Sequence, residues 1–330
     1  MSLNLYVETS ISGVPVTMIR HFLKKVPALL RRFKPLLIGA LLALGGFMLY
    51  RTLSRYSMDQ IAASVAAISA ARFAAAGCFA AGSYLCLTGF DTLAVRYAGH
   101  AIPYRKIALA SFVSLSFGHN IGLAALSSGA IRYRFYTRWG MRGGEVAAVV
   151  LFCGATVMLG LMILAGAALL LQPSLAQEIT GLGRPVVIGI GALCLILAVG
   201  YVMLSAVLRR PIRIGRFSFR MPALRLAHGQ VIIGPLNFAL VAACLHQTLA
   251  ATAQVEYVQV AAVYVIANVA VIIAHVPGGL GVLEGVVTFL LPNVEVIGAL
   301  VAFRIVYFLI PLALGACAFA LAEGLNRLQA

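Results

Sequence analysis

The feature that most constrains this chain is a series of long apolar runs. Val146 to Leu171 and Pro185 to Leu208 contain no charged residue, and neither does Tyr257 to Ala274. A run of about 20 apolar residues is what an α-helix needs to cross a bilayer core of about 30 Å. In hydrocarbon every backbone donor and acceptor must be paired within the segment, so such runs fold as helices. Of the 330 residues 62% are hydrophobic and only 10% charged, which excludes an ordinary soluble domain. The expectation is an all-α, polytopic integral membrane protein. It has about seven to eight transmembrane helices with one or two re-entrant or broken segments.

The net charge of +16 suggests nucleic acid in a soluble protein. Here the clustering of the basic residues between apolar runs points to loops on anionic lipid, not to nucleic acid. Four clusters hold 19 of the 25 lysines and arginines. They are Arg20 to Lys34, the group Arg96, Arg105 and Lys106, the group Arg132 to Arg142, and Arg209 to Arg225. Placing all four on one side gives a cytoplasmic N-terminus and an uncleaved first helix at Leu36 to Tyr50. Phe73 to Val95, Val146 to Leu171, Pro185 to Leu208, Val231 to Ala250, Tyr257 to Ala274 and Val296 to Ala322 read as further spans. Ile61 to Ala71 reads as interfacial or as the start of a span. The domain reading is a basic segment over 1–35, a membrane domain over 36–325 and a tail over 326–330.

Ile107 to Ile131 is long enough to cross, but a crossing would put Arg132, Arg134, Arg138 and Arg142 on the wrong side. Gly118, Asn120 and Gly122 also interrupt it. A segment that dips in and returns keeps the charges together. A second interruption lies at His275 to Glu284, where Pro277, Gly278, Gly279 and Gly281 precede Glu284. Proline removes a donor and disfavours helix in the residue before it. Freed backbone in lipid must find partners in the protein or face a wet cavity. A carboxylate there is a functional candidate, although a short interhelical loop with Glu284 among headgroups also fits. If Val276 to Leu291 is re-entrant the last helix ends outside; if it spans, the end lies inside. Transporters with internal repeats place such breaks at their substrate sites.

No catalytic constellation appears, and no cofactor or metal is expected. The six cysteines all lie in apolar runs without a Cys-x-x-Cys, and the histidines lack ligand spacing. Gly278-Gly279-Leu280-Gly281 has neither a preceding strand nor a following Lys-Ser/Thr, so it reads as a helix break. Arg132, Arg134 and Arg138 follow a run of small residues, and arginine forks match phosphate geometry. They are candidates for a lipid phosphate, against the plainer role of topology determinants. Glu284 near the start of a half-helix has Arg304 as its obvious partner, either as structural glue or as part of a transport site. His119, Asn120 and Tyr307 are candidate cavity residues. Asp91 is placed to pair with an arginine of the cluster after Gly129. Asn237 and Asn268 read as interhelical hydrogen bonds.

Three stretches carry a family resemblance. Gly118-His119-Asn120-Ile121-Gly122 followed by Ser128-Gly129-Ala130-Ile131-Arg132-Tyr133-Arg134-Phe135-Tyr136 is the first. Pro277 to Glu284 is the second, and Arg304-Ile305-Val306-Tyr307-Phe308-Leu309-Ile310-Pro311 the third. In that order they resemble the flippase region of the lysylphosphatidylglycerol synthetase/flippase family (multiple peptide resistance factor, MprF). The resemblance implies a bacterial inner-membrane protein, linked to antimicrobial peptide resistance. It would move lysylphosphatidylglycerol or a similar phospholipid to the outer leaflet. The full-length family carries a transferase domain that is absent from this stretch, so the chain is expected not to be an enzyme. It would act on a lipid made by a separate synthase, be a piece of a longer protein, or be a stand-alone relative. A lipid-binding scaffold that regulates a lipid-modifying enzyme is the alternative.

Overall fold

A computed structural model describes residues 68–121, 124–208, 212–214, 217–251, 253–274, 279–291 and 296–328, with isolated positions between 57 and 66. The expected basic segment and first span, together with Gly122, His275, Pro277 and Gly278, lie outside the described residues. The elements are α1 (Ala70–Tyr97), α2 (Tyr104–Ile121), α3 (Ala124–Arg138), α4 (Gly143–Leu171), α5 (Pro173–Thr180) and α6 (Arg184–Val207). They continue with β1 (Ile212–Ile214), β2 (Phe217–Phe219), α7 (Leu224–Leu249), α8 (Tyr257–Ala274) and α9 (Val282–Leu290). Last come α10 (Val296–Arg304), a π-helical turn (Ile305–Leu309) and α11 (Ile310–Leu328). Among the described residues six helices are long and apolar enough to cross a membrane: α1, α4, α6, α7, α8 and the continuous run Gly298–Gly324. The fold is a polytopic helical bundle, as the apolar runs require.

The ends of the helices follow local chemistry. Ser69 caps α1 by accepting from the Arg72 amide at 3.5 Å, so Ala70 and Ala71 belong to this span. Glu145 reaches back to the Arg142 amide at 2.6 Å and starts α4. Gly181, with φ +67°, ends α5 in the left-handed conformation that glycine adopts without steric cost.

The interrupted first-half segment forms two helices packed on each other, α2 and α3. Neither is among the helices long and apolar enough to cross; Gly118 and Asn120, read as part of the interruption, lie within α2. Lys106 near the start of α2 lies 5.7 Å over the ring of Trp139, just past the end of α3. The segment therefore dips and returns, as its charges require, and its two outer ends meet. The Tyr97 hydroxyl donates to the Arg220 carbonyl at 2.6 Å, and His100 lies 2.9 Å from Glu145. The ends of α1 and α3 and the starts of α2, α4 and α7 thus gather at one arginine-bearing end. The loop before α7, read from the sequence only for its arginines, contains a short antiparallel ribbon with Ile212 opposite Phe219.

Small residues set the closest approaches. A side chain at Gly160 of α4 would collide with the backbone of Gly234 of α7. Gly166 of α4 and Gly191 of α6 meet in the same way. Without a hydrophobic drive between helices in lipid, close packing of this kind holds a bundle together. A polar tie adds to it: Tyr201 of α6 donates to Gln230 of α7 at 2.6 Å, and Gln230 donates to Thr156 of α4 at 2.8 Å.

The last helix is not regular. Pro311 has no amide to offer the carbonyl four residues back, that of Tyr307. The helix answers with the π turn over Ile305–Leu309, in which the Ile310 amide bonds to Ile305. A π turn of this sort leaves carbonyls open and recurs at functional sites.

Candidate functional site

Asp91 sits at 0% exposure in the lower half of α1, and Arg132 at 2% in α3. Arg132 donates to Asp91 through Nε at 3.0 and 3.1 Å and through Nη2 at 3.0 Å, while Nη1 donates to Ser128 at 2.8 Å. The Tyr136 hydroxyl donates to the other carboxylate oxygen at 3.1 Å, and the Cys153 thiol of α4 to the first at 3.0 Å. Ser128, Arg132 and Tyr136 share one face of α3 because they are four residues apart. A buried ion pair is tolerable only when the remaining donors and acceptors are satisfied, and these are. Asp91 is thus the partner of Arg132, the contact expected for it with an arginine of this cluster.

Arg134 and Arg138 occupy a second face of α3, again four residues apart. Both reach Glu323 near the end of α11. Arg134 Nε donates at 2.9 Å and its Nη2 is also bonded, and Arg138 Nη2 donates at 3.0 Å. Two cations share one carboxylate, and the Arg138 side chain is 32% exposed. The last helix therefore ends beside the arginines of α3, at the arginine-bearing end, which is the outcome expected if the stretch Val276 to Leu291 as a whole spans.

The second interruption is built around Glu284. Gly279 and Gly281 have φ of +61° and +85°, conformations that side chains other than glycine rarely take. A Cβ on Gly279 would also strike Val271 of α8. These turns aim α9 so that Glu284, in its first turn, accepts from the Gly281 amide at 2.8 Å. The other carboxylate oxygen accepts from Nε of Arg304, the expected partner. Arg304 is 3% exposed and also donates to the Gly279 carbonyl at 3.2 Å. One guanidinium thus ties the backbone of the break to the first turn of α9. Alone, α9 has nine residues and is about 13 Å long, too short to cross.

Arg304 leads to a polar seam through the bundle interior. Its guanidinium lies 5.5 Å over Phe308, whose carbonyl accepts from Asn120 at 3.3 Å. The Tyr307 carbonyl, freed by Pro311, accepts from Tyr84 of α1 at 3.4 Å. The Tyr307 hydroxyl lies 3.0 Å from Ser83, which donates to Asn237 of α7 at 2.7 Å. His119 stacks on Tyr307 with ring centres 5.9 Å apart. Residues from α1, α2, α7 and the π turn thus meet where Gly118, a buried residue, brings α2 to its tip. The structure brings together His119, Asn120 and Tyr307, the candidate cavity residues.

Ser83, Tyr84 and Glu323 escaped the sequence reading. The pair Arg134 and Arg138, one turn apart, is a signal for a shared carboxylate, but nothing local names Glu323. Among the described residues no group of three histidine, cysteine or acidic side chains could hold a metal.

Residues 36–315 match the family model described as the lysylphosphatidylglycerol synthase transmembrane region. An uncharacterized protein of Synechocystis, slr0712, is 32% identical over 288 residues, covering 86% of this chain and 89% of that one. The inner membrane protein YbhN of Escherichia coli is 31% identical over 252 residues, covering 73% and 77%.

Proposed function

The chain belongs to the family of lysylphosphatidylglycerol synthase transmembrane regions, and from that premise we propose that it is a lipid flippase-like transporter. It moves lysylphosphatidylglycerol or a similar phospholipid between leaflets without changing it covalently. The observation that carries this reading is the polar seam from Glu284 and Arg304 to Tyr307, Ser83 and Asn237. An apolar bundle does not need such a seam to fold, and charges within the membrane are costly enough to mark a pathway.

In this reading the arginine-bearing end is cytoplasmic, by the positive-inside rule, so the N-terminus is cytoplasmic and the membrane is the bacterial inner one. Arg134 and Arg138 receive the lipid phosphate, because two cations on one carboxylate leave spare donors. Arg132 would join only by exchanging Asp91 for the phosphate; as it stands it holds the hairpin. Glu284 meets the headgroup amine, with Arg304 released to the Gly279 carbonyl. Acyl chains stay in the bilayer. The lipid comes from a synthase supplied separately.

A second reading is a lipid-binding scaffold for a lipid-modifying enzyme. The closed Asp91–Arg132 cluster, with its donors used internally, favours it. Proteoliposomes loaded with lysylphosphatidylglycerol separate the two. Transfer to the opposite leaflet that falls at least tenfold in Glu284→Gln and Arg134→Ala supports transport. No transfer by the intact protein, with retention of a synthase on purification, supports the scaffold.

A further inference from the structure

The nitrogen Nδ1 of His119 is sealed from solvent and has no hydrogen-bond partner among the described residues. Several other ionisable groups of the bundle are engaged. Asp91 is held by Arg132, Glu284 by Arg304, and Glu323 by Arg134 and Arg138. His100 faces Glu145, while His228 and His246 reach the carbonyls of Leu224 and Val255. A buried polar atom without a partner is costly, and a site that keeps one needs a reason.

The surroundings of His119 show what it can do. Tyr84 of α1 stands edge-on at 6.0 Å, Tyr307 is stacked at 5.9 Å, and Phe308 is edge-on at 6.4 Å. The Tyr84 hydroxyl is already used on the Tyr307 carbonyl, and the Tyr307 hydroxyl on Ser83. The charged groups on neighbouring elements are Arg132 of α3, matched by Asp91, and Arg304 beside Phe308, matched by Glu284. No carboxylate is left over for an imidazolium. The arrangement therefore suits a neutral ring. The rings of Tyr307 and Phe308 touch His119, and a second N–H on the imidazole would need an acceptor such as their backbone carbonyls. Both are held by long bonds, 3.4 Å from Tyr84 and 3.3 Å from Asn120. Those two bonds fasten the tip of the α2–α3 hairpin and α1 to the π turn.

We propose that His119 is a proton-binding site coupled to movement of the tip of α2, residues 112–121. A proton from water adds to the Nδ1 lone pair, and no other covalent bond forms or breaks. The charged ring competes for the Tyr307 and Phe308 carbonyls and loosens the contacts of Tyr84 and Asn120. Return of the proton to water restores them. This rests on the transport reading for its purpose, since the tip would open and close the seam along which the lipid passes. The tip movement itself stands independently. Histidine is the side chain whose charge changes nearest neutral pH, and burial among rings without a carboxylate keeps this one neutral there, so loading it takes acidification.

The test is amide hydrogen exchange over residues 112–121 of the full chain in nanodiscs, corrected for the intrinsic effect of pH, with lipid transfer measured in parallel. Acidification raises exchange at the tip severalfold in the intact protein and not in His119→Gln. Tyr84→Phe, which removes one of the two fastenings while leaving the histidine, raises exchange at neutral pH and shrinks the step. Equal pH responses in the intact protein and His119→Gln, or no response in either, overturn the proposal. A tip that responds while no lipid moves leaves the proton site standing and removes the transport reading. Lipid transfer with a pH-indifferent tip does the reverse.

Discussion

Arg132 and Asp91 lie 41 residues apart and meet through Nε and Nη2 of the guanidinium, at 0% exposure for the carboxylate. The pair joins α3 of the hairpin to α1, with Cys153 of α4 as a third element. Breaking a buried pair by removing one partner leaves an uncompensated charge, at a cost of about 3–5 kcal/mol. Asp91→Asn or Arg132→Met should therefore lower the melting temperature of the detergent-purified protein sharply. The double change Asp91→Leu with Arg132→Met should regain most of it. Additive losses in the double variant would show that the two residues do not act as a pair.

The contact between Gly160 and Gly234 allows no side chain. Gly160→Leu should separate α4 from α7 and destabilise by about 1–3 kcal/mol, the usual range for overpacking. Gly144→Ala is the control, since a Cβ there meets nothing within 4 Å. It should leave thermal stability unchanged or raise it by up to about 1 kcal/mol. Similar melting curves for the two variants would contradict the packing described.

Pro311 causes the π turn, and its replacement reports on that turn's purpose. Pro311→Ala supplies the missing amide, so the helix can regularise across Ile305–Leu309 and reclaim the Tyr307 carbonyl from Tyr84. Thermal stability should hold or rise, while leaflet transfer falls severalfold. Transfer equal to that of the intact protein would make the π turn a structural accommodation only.

Arg304 serves two acceptors at once, Glu284 and the Gly279 carbonyl. Lysine keeps the charge but lacks the planar fork. Arg304→Lys should lower transfer at least tenfold at unchanged expression, with Glu284→Asp intermediate. Full activity in Arg304→Lys would reduce the residue to a point charge.

Glu323 holds two arginines that would otherwise seek another anion. Glu323→Gln should increase the anionic phospholipid retained by purified protein, as counted by native mass spectrometry. High salt should remove the excess, because the site is partly open to water. Unchanged lipid retention would argue against Arg134 and Arg138 as the phosphate site.

Much of this was legible along the chain. Gly279 and Gly281 marked the second interruption, and the misplaced arginines after Ile131 required a hairpin, whereas Gly118, read as a break, is helical within α2. The Glu284–Arg304 pair was also legible, because few charges stood in those segments and each had few candidates. Other relationships were hidden for a common reason. Glu323 follows directly on the last apolar run, but its partners come from 189 and 185 residues away and nothing local names them. The Tyr84 bond to Tyr307 depends on a carbonyl, which every residue has, being freed by a proline in another helix. The ribbon at Ile212–Phe219 lay in a loop read only for its charge.

The sequence by itself determined which segments are helices in the membrane and where they break, because hydrocarbon offers the backbone no partner outside its own segment. Lys and Arg clusters then determined which ends belong together. Only the tertiary structure decided which side chain meets which. The rotation of each helix about its axis is set by close packing, as at Gly160 and Gly234. That rotation turns Asp91 towards Arg132, Glu323 towards Arg134, and leaves Nδ1 of His119 without a partner among the described residues.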